Sequence, residues 1–363
     1  MFSIAASFLL AAHLLCVNLA MTGPLACVAL RWQTARHHDP LADRVGRWLV
    51  QVCIVALLVA MGLGIVSGLL LWYGGQRQFF DAMGRLPARR IYWGLVELAF
   101  YFVCMIIYGA LWNRWRARPV LHGSIAVIAA TNLMYHFPPL FALIGWLAAG
   151  GHAGIEPISA RQLLQLMFSP AVLAPVAHHL LASVAVVGIA VMLGARRLSG
   201  LGTKDIANET DSEATQAAAI VRRAAVVILS VTLLQLPTGL WVVLQLTGVQ
   251  RDRLLGGTWP ATVLFIAAMV TALSLLHWLS MIALGQTGRR EVYMAALLLA
   301  VLTLLMSGVL REVRKEKAAA DLTTSRINGL QACDNLYGVG SLFRHRYRVD
   351  QRVILIWRKG LPT

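Results

Sequence analysis

Residues 169–195 read Ser169-Pro-Ala-Val-Leu-Ala-Pro-Val-Ala-His178-His179-Leu-Leu-Ala-Ser-Val-Ala-Val-Val-Gly188-Ile-Ala-Val-Met-Leu-Gly194-Ala195. The stretch contains no Lys, Arg, Asp or Glu, and it exceeds the roughly 20 apolar residues that a helix needs to cross a hydrocarbon layer. Its apolar residues run continuously rather than alternating. That fits a helix, which satisfies its own backbone hydrogen bonds in lipid, and excludes a barrel strand. Two imidazoles lie near its middle. Lipid penalises a polar side chain at that depth, so an intramembrane histidine marks a functional site until a structural reason for it is found.

Seven further runs of this kind cover residues 1–30, 48–73, 91–112, 123–149, 224–246, 258–284 and 292–310. The chain is 58% hydrophobic and 13% charged over 363 residues, which places it in the polytopic membrane class. The expected fold is therefore all-α: a membrane bundle of eight transmembrane helices. A net charge of +16 raises nucleic acid as a partner. The Arg and Lys residues lie in loops and at helix ends, with no RNA-binding signature, so they read as topology signals in a lipid bilayer and nucleic acid is excluded. Five cysteines are scattered without a C-x-x-C pair or C-x-x-C-H motif. That excludes a zinc ribbon and covalent c-type haem attachment.

The first run has no positive n-region and is too long for a signal peptide, so it reads as span 1. Loops after the odd-numbered spans carry the larger share of Arg and Lys, among them Arg31, Arg36, Arg44, Arg47, Arg114, Arg196 and Arg223. The positive-inside rule then puts these loops in the cytoplasm and the N-terminus outside, in a membrane of the bacterial inner (plasma) type. The expected organisation is a bundle over 1–318, its halves joined by a flexible polar cytoplasmic loop at 198–216, and a basic C-terminal tail over 319–363. The apolar run 353–357 in that tail is too short to span.

With this orientation three ligand-type side chains share one layer. His13 lies about a dozen residues from the outer end of span 1, and His179 and Met269 about ten from the outer ends of spans 5 and 7, all roughly 15 Å deep. Imidazole and thioether are axial ligands of haem iron: a His/Met pair suits electron transfer, and a single His with an open position suits ligand or oxygen chemistry. His178 is turned about 100° from His179 and is the second choice there. His136 precedes Phe137-Pro138-Pro139, whose freed carbonyls fit a structural histidine, with a ligand role in reserve. His277 reads as an interhelical partner. Glu97 is the acidic residue deep in a span; it shares a helix face with Trp93, Tyr101, Cys104 and Tyr108. Its readings are a proton relay, a neighbour of a haem propionate, or a structural hydrogen bond.

These segments resemble subunit I of the cytochrome bd-type oxidase family. His179 followed by Gly188 and Gly194 is similar to that family's fifth helix, where an axial histidine of the low-spin haem precedes two glycines. His13-Leu-Leu-Cys-Val-Asn-Leu resembles the run begun by the high-spin haem histidine. Gly64-Ile-Val-Ser67-Gly68, Thr131-Asn132-Leu133 and Phe265-Ile-Ala-Ala-Met269 resemble segments of its second, fourth and seventh helices. The resemblance covers spans 1 to 7 and implies haem b, one low-spin group on His179 and Met269 near Gly188, one or two high-spin groups with His13, and a second membrane subunit. Two departures stand beside it. The family's third helix carries a pair of carboxylates where this chain has Trp93 and Tyr101, leaving Glu97 and Tyr101 as the expected catalytic pair. The long quinol-oxidising loop is missing between spans 6 and 7, so a cytochrome c-like electron donor stands beside quinol. The rival class is a haem-free proton-coupled transporter using Glu97, the intramembrane histidines and the Pro-broken spans.

Overall fold

The computed structural model describes residues 2–74, 77–151, 156–199 and 207–337. They form α1 (Phe2–His37), α2 (Pro40–Tyr73), α3 (Gln78–Gly84), α4 (Ala88–Ala110), α5 (Pro119–Ala148), α6 (Ala160–Met167), α7 (Pro170–Ser199), α8 (Ala207–Gln245), α9 (Gly248–Asp252), a π turn (Arg253–Gly257), α10 (Trp259–Ala283) and α11 (Arg289–Tyr337). The fold is an all-α polytopic bundle, and α1, α2, α4, α5, α7, α8, α10 and α11 each contain a segment long and apolar enough to cross a membrane. The short helices α3, α6 and α9 lie in connections between the spans, and the apolar pattern does not announce them. The chain divides into two units, Met1–Arg314 and Lys315–Thr363. The first holds the eight spanning segments; in the second, residues through Tyr337 are helical.

The polar stretch expected as a loop at 198–216 is largely helical. α7 continues to Ser199 and α8 starts at Ala207, with 200–206 outside the described residues. Arg44 Nη2 donates to Glu213 Oε1 at 2.6 Å, which ties the start of α8 to α2. The tail beyond Tyr337 also lies outside the described residues.

α1 and α2 pair along their lengths, as do α7 and α8; α1 also packs on α5 and α7, α4 on α5, and α10 on α8. Pro24, Pro138, Pro139, Pro175 and Pro237 sit inside helices. Each removes a backbone donor from the carbonyl four residues earlier, which neighbouring groups must then satisfy. At Pro24 the orphan is the Ala20 carbonyl, and the Tyr101 hydroxyl donates to it at 2.7 Å.

Burial is uneven along the membrane normal. The main core is built from 20–30 of α1, 41–57 of α2, 101–112 from α4 onward, 126–133 of α5, 185–195 of α7, 217–228 of α8, 275–282 of α10 and 292–299 of α11. Because successive spans alternate in direction, these segments all lie toward one end of the bundle. In the other half, no residue is buried over 61–73 of α2, 177–182 of α7 or 233–245 of α8. Two smaller clusters flank this open half, one around Leu143, Leu163 and Val172 and one around Leu254, Ala261 and Val309.

The packed half also holds a charge cluster. Arg31 Nη1 donates to Asp43 Oδ1 at 2.8 Å, Trp112 Nε1 to the same oxygen at 3.0 Å, and Arg47 Nη2 to Asp43 Oδ2 at 3.0 Å. Arg31 is 3% exposed and Asp43 4%. Both read as loop residues by hydropathy, yet the helices run past the apolar segments and bury them.

Candidate functional site

α1 and α7 bring His13 and His179 within electrostatic range of each other in the open half. His13 Nδ1 lies 2.9 Å from the Ala60 carbonyl of α2. A carbonyl only accepts, so Nδ1 carries the proton and Nε2 presents its lone pair. A metal-binding imidazole is commonly held this way, its second nitrogen fixed by a carbonyl. Gly64 keeps the backbone of α2 close to this ring: a Cβ there would lie 3.1 Å from His13 Cε1. His179 sits deep among the helices, retains accessible surface, and makes no hydrogen bond to any described residue. Its neighbour His178 turns instead toward the Pro237 kink of α8, with Nδ1 3.5 Å from Thr238 Oγ1 and its ring against Gly239. Of the two adjacent imidazoles, His179 is the one that makes no hydrogen bond to a described residue.

This donor set tests what kind of group fits. Among the described residues no cluster of three or more His, Cys, Asp or Glu could hold a bare metal ion. A haem brings four equatorial nitrogens of its own and asks the protein for only one or two axial ligands. One imidazole oriented by a carbonyl and another without a partner, in the loosely packed half of the bundle, fit that requirement.

Other expected residues are placed differently. Met269 is 37% exposed on α10, a helix that packs on α8. Gly188 does not face a slot. A Cβ there would collide with Ile228 of α8, and its neighbours Val187 and Ile189 belong to the main core. The expectation that Gly188 lets a macrocycle approach is corrected accordingly: this glycine fits α7 to α8. Gly194 does the same against Trp48 of α2.

A second polar group lies between α4 and α5. His136 Nδ1 approaches Glu97 Oε2 to 2.9 Å, and a Cβ on Gly94 would lie 3.2 Å from His136 Nε2. Asn132 Nδ2 donates to the Glu97 carbonyl at 3.1 Å. Tyr101, one turn further along α4, is fully buried and committed to the Ala20 carbonyl. His277 lies on the exposed side of α10 beside Trp278 rather than between helices. The structure adds His122, which the apolar pattern did not single out. It stacks on Tyr108 with ring centroids 4.1 Å apart, and its Nε2 lies 2.8 Å from the Tyr108 carbonyl. Only its place in a helix start rich in small residues hinted at this packing role.

No family model matches the sequence, and no curated protein matches it. Among solved structures, a chain of the bd oxidase from Geobacillus thermodenitrificans is similar, with a TM-score of 0.59 and 13% identity. The match covers 87% of this chain and 86% of that one. At this identity the likeness concerns the fold: the chain is an integral membrane protein with a bd-oxidase-like helical bundle.

Proposed function

We propose that this chain is a haem-binding redox subunit of a membrane electron-transfer complex, with oxygen or a partner protein as the electron acceptor. One observation carries the reading: in the open half of the bundle, His13 is fixed through Nδ1 with Nε2 left available, and His179, within electrostatic range of it, makes no hydrogen bond to a described residue. The bd-oxidase-like fold supports it. Haem b, when bound, supplies one-electron chemistry, and at a five-coordinate iron it supplies ligand or oxygen binding.

The chain's own residues perform the remaining tasks. The Ala60 carbonyl holds the His13 ring in one tautomer and orientation and raises the basicity of Nε2. His178, held at the α8 kink, leaves His179 as the ligand from α7. Met269 would hold the low-spin haem together with His179, which its depth in α10 supports. The packed half, with its fully buried aromatic and thiol side chains, separates the site from the basic loops. A second membrane subunit is the proposed partner, and the electron donor is a quinol or a cytochrome c-like protein. The connection between α8 and α10 holds only α9 and the π turn, which supports the latter. The proposed location is a bacterial inner membrane with the N-terminus outside.

A reduced-minus-oxidised absorbance spectrum of the purified chain tests this reading. The expected result is a sharp b-type α-band that His179→Ala removes, and carbon monoxide binding that His13→Ala removes. A spectrum without haem would overturn the reading and leave the proton-coupled transporter in its place. An unchanged carbon monoxide signal in His13→Ala would take His13 out of the site.

A further inference from the structure

We propose that Arg47 and Arg116, gathered by Asp43, bind the phosphate of an anionic phospholipid whose acyl chains lie on the outward face that α2 and α4 share. This rests on the membrane bundle alone and not on the haem reading.

Three guanidiniums surround one carboxylate at this point. Arg31 Nη1 lies 2.8 Å from Asp43 Oδ1, Arg47 Nη2 3.0 Å from Oδ2, and Arg116 Nη2 3.9 Å from Oδ1. Arg31 and Asp43 are both buried and neutralise each other, and the Trp112 indole N–H also donates to Oδ1. Two positive charges are then left over. Among the described residues no second acidic side chain bridges any of these three arginines, whereas the neighbouring Arg44 has Glu213.

A carboxylate already met by a buried arginine does not need two more, and like charges gathered at one point repel. Asp43 holds Arg47 and Arg116 together at the surface, where their side chains keep 47% and 66% exposure. Arg47 donates from Nε and Nη2 to Oδ2, which leaves Nη1. Arg116, at 3.9 Å, is beyond hydrogen-bond distance and spends no donor on Asp43. A phosphodiester brings one negative charge and two free oxygens, and planar guanidiniums match that geometry.

The level in the bilayer and the adjoining surface select a lipid over a soluble anion. Arg47 directly precedes the apolar run 48–73, and Arg116 lies in the connection that follows α4. Guanidiniums so placed stand at the depth of the headgroups. α2 and α4 meet where a Cβ on Gly109 would lie 3.3 Å from Val50 Cγ1. From that contact, Val55 and Leu58 on α2 and Val103 and Ile106 on α4 are turned by roughly 100° in the same rotational sense. The two helices are consecutive spans and therefore antiparallel, so both stripes fall on one side of the contact. All four side chains are exposed, and Arg47 heads the α2 stripe. A headgroup held by the arginines thus lays its chains on an apolar face. A zwitterionic lipid brings its own cation and leaves the surplus charge unmet, so the anionic class is the one that fits.

Native mass spectrometry of the full-length chain in detergent tests this, with dioleoyl phosphatidylglycerol and dioleoyl phosphatidylcholine as probes. The native chain is expected to hold phosphatidylglycerol more tightly. The Arg47→Gln/Arg116→Gln variant is expected to lose about fivefold in that affinity for each arginine removed. Arg118→Gln takes one charge from the same connection, has no ion pair with Asp43, and is expected to leave the affinity unchanged. In thermal unfolding, phosphatidylglycerol is expected to raise the midpoint of the native chain more than that of the double variant, and inorganic phosphate at the same concentration to raise neither. Equal binding of the two lipids, an equal loss in Arg118→Gln, or displacement of the lipid by equimolar inorganic phosphate would each overturn the proposal. If the double variant does not accumulate, Arg116→Gln, which breaks no hydrogen bond to Asp43, decides the matter alone. None of these readouts uses haem, so a haem-free preparation sinks the redox reading and leaves this one standing.

Discussion

Tyr101 illustrates how one side chain answers a defect written elsewhere in the sequence. Pro24 lacks a backbone N–H, so the Ala20 carbonyl loses its helical donor. The hydroxyl of Tyr101, on α4, fills the vacancy at 2.7 Å. Removing it by Tyr101→Phe leaves a buried acceptor unpaired and is expected to lower stability by about 1–3 kcal/mol. Pro24→Ala restores the helical donor, so Tyr101→Phe is expected to cost less in that background. A double-mutant cycle read by thermal unfolding in detergent measures the difference. Equal costs in both backgrounds would mean that the hydroxyl serves something other than the stranded carbonyl. Spectral features of bound haem are expected to survive Tyr101→Phe, because the side chain bridges α1 and α4 rather than facing the open half.

Among the helices, α7 carries both the candidate ligand and the notches that seat it. Gly188 receives Ile228 of α8, and Gly194 receives Trp48 of α2. Gly188→Ala forces a methyl into Ile228 and is expected to destabilise by about 1–3 kcal/mol, the usual range for overpacking. Ile228→Ala in the same chain is expected to recover part of that loss, and thermal unfolding of the single and double variants checks it. No recovery would mean that Gly188 matters through something other than α8.

The same helix separates what could be read in the sequence from what could not. Its apolar length announced a span, because that signal is local. The purpose of its glycines was not local: a bare Cα invites a flat cofactor or a neighbouring side chain equally well, and only the position of Ile228 decides. Charge was misleading for a related reason. Arg31 flanks an apolar run and so read as a topology signal, and Asp43 was not singled out. Trp112, which binds both, stands 81 and 69 positions away from them in the chain, and no periodicity links them. The Glu97–His136 pair, 2.9 Å apart across two helices, was hidden in the same way, although each residue was conspicuous alone.

Taken together, the helices divide the molecule into a packed half and an open half. A bundle of eight apolar helices does not leave one half loose for lack of hydrophobic residues; α2 has Leu, Ile and Val throughout 61–73, all at least partly exposed. The proposed haem would lie in this half, where His13 and His179 stand. This makes a prediction about where a cofactor stabilises the protein. Binding restricted to one half protects that half's backbone against local opening, and leaves the other as it was. Hydrogen exchange of the purified chain, before and after haem extraction, is expected to rise over 61–73 of α2, 177–182 of α7 and 233–245 of α8. Exchange over 41–57, 185–195 and 217–228, the packed parts of the same helices, is expected to stay within error. An even rise along each helix would show that the group does not occupy the open half.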